Sequence, residues 1–116
     1  MPITWETSNN RKYLYLNYEG HTPAELLDLI DIQVKEIQDC KDQVFVLSNV
    51  TNTTLSPEFM KKAKEEGKKH VAKVEKSAIF GVTGLKKILV QSYITFTGSK
   101  FKVFGTKEEA LSYLFK

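Results

Sequence analysis

The sequence predicts an α/β fold in which an N-terminal β-hairpin leads into αβαβαβα around a mostly parallel sheet. Three observations carry this. The last forty residues, Ser77 to Lys116, read as strand, glycine turn, helix, strand and helix without a break. Two runs, Val44-Phe45-Val46-Leu47 and Ala78-Ile79-Phe80-Gly81-Val82, are continuously apolar, as expected of strands covered on both faces in a parallel sheet. Helix-start signals recur between the strands, and strands that alternate with helices require right-handed crossovers. With 116 residues the chain is expected to form one domain, 1–116.

Taken in order, Ile3 to Thr7 reads as a first strand, Ser8-Asn9-Asn10 as a turn, and Lys12 to Glu19 as the returning strand of a hairpin. Thr22-Pro23-Ala24-Glu25 combines an N-cap threonine, proline at the first helical position and a glutamate that closes a capping box. Leu26, Leu27, Ile30, Val34 and Ile37 then repeat at helical spacing, to about Cys40. Val44 to Leu47 is the first covered strand, and Ser48 to Leu55 a polar connection. Ser56-Pro57-Glu58 opens a helix whose buried stripe is Phe59 or Met60, Ala63, Gly67, Val71 and Val74. Ala78 to Val82 is the second covered strand and Thr83-Gly84 a turn. Leu85 to Phe96 is helical, with Gly98 ending it. Phe101 to Phe104 is a last strand, and Thr106-Lys107-Glu108-Glu109 starts a short final helix.

Composition narrows the function classes. The single cysteine, Cys40, excludes an internal disulfide framework. Met-Pro-Ile-Thr-Trp-Glu lacks the charged-then-apolar layout of a secretory signal. No run approaches the ~20 apolar residues of a membrane span, because Lys86, Lys87 and Gln91 interrupt the best candidate. A cytoplasmic location is expected. The net charge of +3 resides in Lys61 to Lys76, where seven lysines stand against three glutamates. Such a face is either a solvated helix surface or a peripheral contact with an anionic membrane. The segment has no arginine and no aromatic residue to stack on bases, so nucleic acid is not an expected partner.

Four phrases, in this order and at these spacings, resemble the SpoIIAA-like family, small proteins grouped with STAS domains and related in fold to SEC14 (CRAL-TRIO) domains. They are Val44-Phe45-Val46-Leu47 before a polar loop; Ser56-Pro57-Glu58-Phe59; Ala78-Ile79-Phe80-Gly81-Val82-Thr83-Gly84; and Val103-Phe104-Gly105-Thr106-Lys107-Glu108-Glu109-Ala110-Leu111. The resemblance runs from Tyr13 onward and implies a SpoIIAA-like (STAS-like) domain acting through protein contacts. STAS-class antagonists carry a regulatory phosphoserine in an Asp-Ser-Ser-Gly-Leu-type loop. Here the corresponding loop has neither the aspartate nor the Ser-Gly step, so the resemblance implies a similar loop position and not a phosphorylation switch.

Three segments are candidates for function. The Ser48–Ser56 connection leaves the carboxyl end of a covered strand, where ligands collect in open α/β sheets. Its partner- or ligand-binding candidates are Ser48, Asn49, Thr51, Thr53, Thr54 and Ser56; the plainer reading is a turn and a helix cap. Thr83, Gly84, Lys86 and Lys87 form a second turn on that edge, a candidate anion site without the Gly-Lys-Ser/Thr ending of a P-loop. The 85–96 helix is apolar on more than one face. Leu89, Tyr93 and Phe96 are its candidates for a homodimer or other apolar contact. The alternatives are an acyl-chain ligand and cover by the last helix through Leu111, Leu114 and Phe115.

Catalysis has little support. His21, His70 and Cys40 have no metal-ligand spacing, and Asp28 and Asp31 read as a solvated face. No catalytic residue, metal or cofactor is assigned. The leading expectation is a non-enzymatic binding or regulatory domain with a protein partner. The alternative is a carrier or sensor of a nucleotide, anion or lipid. An exposed apolar patch beside a solid core would favour the first, and a pocket of several hundred Å³ the second.

Overall fold

The computed structural model describes residues 2–99 and 101–116. Strand β1 (Ile3–Ser8) turns through Asn9 and Asn10 alone into β2 (Arg11–Asn17). Both asparagines have positive φ, 52° and 63°, the two-residue turn whose twist suits paired strands. Helix α1 (Pro23–Gln38) starts on the expected capping box: the Glu25 N–H donates to Thr22 Oγ1, and the Thr22 N–H donates to Glu25 Oε1 at 2.8 Å. Next come β3 (Val44–Asn49), α2 (Pro57–His70), a 3-10 turn over Val71–Lys73, β4 (Val74–Phe80), α3 (Lys86–Thr97), β5 (Phe101–Phe104) and α4 (Lys107–Leu114). Ser56 caps α2, its hydroxyl accepting from the Phe59 N–H at 3.1 Å, and Thr106 caps α4 in the same way through Glu109.

The five strands lie in the order β1-β2-β3-β4-β5; β1 and β2 are antiparallel and every later pair is parallel. The two apolar ribbons are neighbours running the same way, with Leu47 opposite Ala78. Because every crossover steps in one direction with one hand, α1, α2 and α3 fall on the same face. Their side chains meet Leu14, Leu16, Val44, Val46 and Ile79 in one core cluster. Among the described residues only α4 folds back to cover the other face, where Ala110 and Leu114 pack on Tyr13, Leu47 and Ala78.

Three expectations are corrected. First, β4 begins at Val74 and ends at Phe80, so Val74 belongs to a strand and not to the α2 stripe, and Val82 lies beyond the strand. The charged Glu75 and Lys76 disguise its start. Lys76 nevertheless tolerates a strand position because its ammonium lies over the Tyr113 ring and reaches the Tyr113 carbonyl at 3.1 Å. Gly81, at φ +85°, breaks the strand at the other end. Second, Ser48 and Asn49 are strand residues, paired with Leu16 and Asn17 of β2. Third, α4 lies across the sheet from α3 and does not cover it. Leu85 and Ile88 are 70% and 67% exposed.

Candidate functional site

The carboxyl edge of the sheet, where a ligand loop was expected, is closed by the protein's own groups. Asn49 Nδ2 donates to Asn17 Oδ1 at 3.1 Å, and Asn49 Oδ1 accepts from the Thr51 N–H at 3.0 Å. The buried Thr53 hydroxyl is spent on the Tyr18 and Thr51 carbonyls. Gly81 lies so close to this loop that a Cβ there would stand 2.5 Å from the Thr51 amide nitrogen. Of the six loop candidates only Thr51, Thr54 and Ser56 reach the surface, and Ser56 is the α2 cap. The topology explains the closed edge. A crevice opens in an α/β sheet where the strand order reverses, and a sequential order has no such point.

The Thr83–Lys87 turn joins this arrangement instead of forming an open cradle. Lys86 Nζ donates to the Val50 carbonyl at 2.7 Å. The first amides of α3 are also occupied: those of Lys86, Lys87 and Ile88 donate to the carbonyls of Thr83, Gly84 and Leu85. Thr83, Gly84 and Lys87 are exposed. The Lys86 ammonium and the amides of Lys86, Lys87 and Ile88 are thus bonded within the protein. On α3, Leu89 and Tyr93 pack toward the core, and Phe96 alone of the three candidates stands out, 46% exposed.

The structure instead places a cavity of about 300 Å³ between the sheet and the three-helix layer. Small residues create it. On α2, Ala63 and Gly67 follow Met60 along the inward face; on the sheet, Ser48 and Ser77 occupy inward positions beside Val46 and Ile79. A core normally fills such positions with Leu, Ile or Val to near-crystalline density. Each of these residues passes for an ordinary helix or strand residue in the sequence, and only their convergence makes a void.

Its walls are mostly apolar, with a few hydroxyls, the amides of Gln33 and Gln43, and Glu66, His70 and Glu75 among the lining residues. Tyr18 donates to Gln33 Oε1. Burial, and after it the nearby Tyr93 phenol, raises the Tyr18 pKa; burial raises that of Tyr93 as well. Both therefore stay protonated at neutral pH. Ser48 and Ser77 are 4% and 8% exposed. With Tyr93 they line the cavity; their three hydroxyls have no hydrogen-bond partner among the described residues, and none of these oxygens is sealed away from open space. The lining around Tyr18, Leu55 and Phe59 is buried, so that end is blind. At the opposite end Gln43, Ala72, Glu75 and Gly98 are exposed and form a mouth at the amino edge of the strands.

The charged groups stay near the mouth or turn away. Glu66 is 3.7 Å from His70 and 3.6 Å from Lys69, and Lys73 donates to the Cys40 carbonyl. His21 sits by Glu25, far along the chain from these. Among the described residues no cluster of His, Cys, Asp and Glu suits a metal ion, and no helix is long and apolar enough to cross a membrane.

No family model matches the chain, and no curated protein matches it. Among solved structures the chain is similar to an uncharacterized protein of the DUF3478 family from Shewanella loihica PV-4, described as having a SpoIIAA-like fold. The superposition has a TM-score of 0.75 and 24% identity, over 97% of this chain and 91% of the other. At that identity the likeness is one of architecture, and the fold of this chain is SpoIIAA-like.

Proposed function

We propose that this chain is a non-enzymatic binding protein that holds a small molecule between its sheet and its helices, as a carrier or a sensor. The observation that carries the reading is the cavity of about 300 Å³ with uncommitted Ser48, Ser77 and Tyr93 hydroxyls on a mostly apolar wall. That volume and lining are those of small-molecule sites. Native mass spectrometry of the protein purified from its own host is expected to show a retained small molecule that leaves on denaturation. A bare chain that also takes up no probe on soaking would overturn the reading.

Contact with a protein partner is a second reading, favoured by one observation. Leu85, Ile88 and Phe96 are exposed along α3 beside Lys64, Lys68 and Lys87, with Lys68 over the Phe96 ring. That surface suits an acidic partner better than a second copy, which would set lysine against lysine across a two-fold axis. Ile88→Asp is expected to abolish such binding while leaving cavity binding intact.

A further inference from the structure

The chemistry of the cavity wall selects among ligands, an inference that rests on reading the cavity as a binding site. Size comes first. A cavity of about 150 Å³ takes benzene, so about 300 Å³ holds on the order of a dozen non-hydrogen atoms.

Charge comes next. No ammonium enters the cavity: Lys76 projects from the opposite face of the sheet to the Tyr113 carbonyl, and Lys73 is held at the Cys40 carbonyl. The Glu66 carboxylate has Lys69 at 3.6 Å, and the Glu75 carboxylate is exposed at the mouth. Beyond the mouth, beside Ser48, Ser77 and Tyr93, an ionised ligand would give up its hydration with no charged side chain next to it, a cost that neutral ligands escape.

Hydrogen bonding then sets the polar group. The Gln33 carbonyl is occupied by the Tyr18 hydroxyl, which leaves its amide N–H groups free. The Tyr93, Ser48 and Ser77 hydroxyls lack protein acceptors among the described residues. Each of these hydroxyls can donate or accept, and with the Gln33 amide they can together meet a ligand acceptor.

We propose that the cavity takes an uncharged, mainly apolar molecule of about a dozen non-hydrogen atoms that carries a hydrogen-bond acceptor such as a ketone carbonyl, met by the Tyr93 and serine hydroxyls.

The test uses two frames, flat (naphthalene) and linear (decane), each bare or with a ketone, carboxylate or ammonium head, titrated by calorimetry onto the intact chain. The ketones are expected to bind, and the carboxylates and ammoniums to bind at least tenfold more weakly. Tyr93→Phe should weaken ketone binding about tenfold and leave the bare frame unchanged. Ser48→Ala and Ser77→Ala give the same comparison should Tyr93→Phe fold poorly. Charged heads binding as tightly as ketones, or ketone affinity unmoved in every variant, would overturn the ligand class while the cavity stands as a site. Failure of all eight probes, bare frames included, would instead remove the cavity as a binding site.

Discussion

Gly67 of α2 and Tyr93 of α3 touch across the helix layer, so closely that a Cβ at position 67 would lie 2.8 Å from Tyr93 Cζ. The glycine is the reason the phenol can lie across α2 and reach the cavity. In an exposed helix Gly→Ala gains about 1 kcal/mol of propensity. Here Gly67→Ala is expected to lose about 1–2 kcal/mol net, because the ring must leave its packed position. In a Tyr93→Ala background the same change should turn favourable. Urea unfolding of the four proteins in this cycle measures the reversal; additive effects would mean that the two residues do not touch.

Lys86 and Lys87 are neighbours with opposite fates, and substitution separates them. Lys86 ties the start of α3 to the Val50 carbonyl at 2.7 Å, a charge-assisted bond of the kind worth about 1.5–3 kcal/mol. Lys86→Met should therefore cost about 1–2 kcal/mol and increase amide exchange in the 49–54 loop. Lys87, exposed, should change stability by less than about 0.5 kcal/mol on the same substitution. Phosphate should not raise the melting temperature of the unaltered chain. Equal effects of the two substitutions would show that the bond to Val50 adds nothing.

Ser77 offers a gain in stability at the expense of binding. Its hydroxyl faces the cavity without a protein partner among the described residues, on a strand of the sheet. Ser77→Val puts methyl groups into the void and a β-branched residue into a strand. Stability should rise by about 1 kcal/mol, while uptake of acetylnaphthalene or decanone should fall. A destabilised Ser77→Val would mean that the space beside Ser77 is already filled.

The parts of this fold that follow from local chemistry could be read from the sequence. Thr22, Ser56 and Thr106 each cap a helix as their spacing to the following glutamate or proline implies, and Val44–Leu47 beside Ala78–Phe80 follows from unbroken apolar runs. The start of β4 was hidden because Lys76 is charged, and its acceptability depends on Tyr113, thirty-seven positions away. A ligand crevice at the carboxyl edge is the general rule for open α/β sheets, but that rule requires a reversal of strand order that these five strands lack. The cavity escaped because Ser48, Ala63, Gly67 and Ser77 are unremarkable one at a time. No local pattern says that two small residues on α2 will face two on the sheet.

Tyrosine burial makes stability fall in alkali. On the α4 face of the sheet, Tyr13 is 2% exposed, and its pKa is pushed up to about 12 by burial and then by the Glu6 carboxylate, to which its hydroxyl donates at 3.1 Å. Tyr18 and Tyr93 are shifted upward as well. In the unfolded chain a phenol loses its proton near pH 10. Between that point and the folded value the native state holds more protons than the unfolded one, and stability falls with rising pH. The contribution is whole below pH 10 and disappears as pH climbs through about 12 for Tyr13. Tyr13→Phe removes one titrating group, and should take about 1.4 kcal/mol per pH unit off the slope in that window. Urea midpoints from pH 9 to 11.5 for the two proteins measure it, since a phenol held by Glu6 and by burial predicts converging curves, and parallel curves would exclude Tyr13 as a source of the alkaline loss.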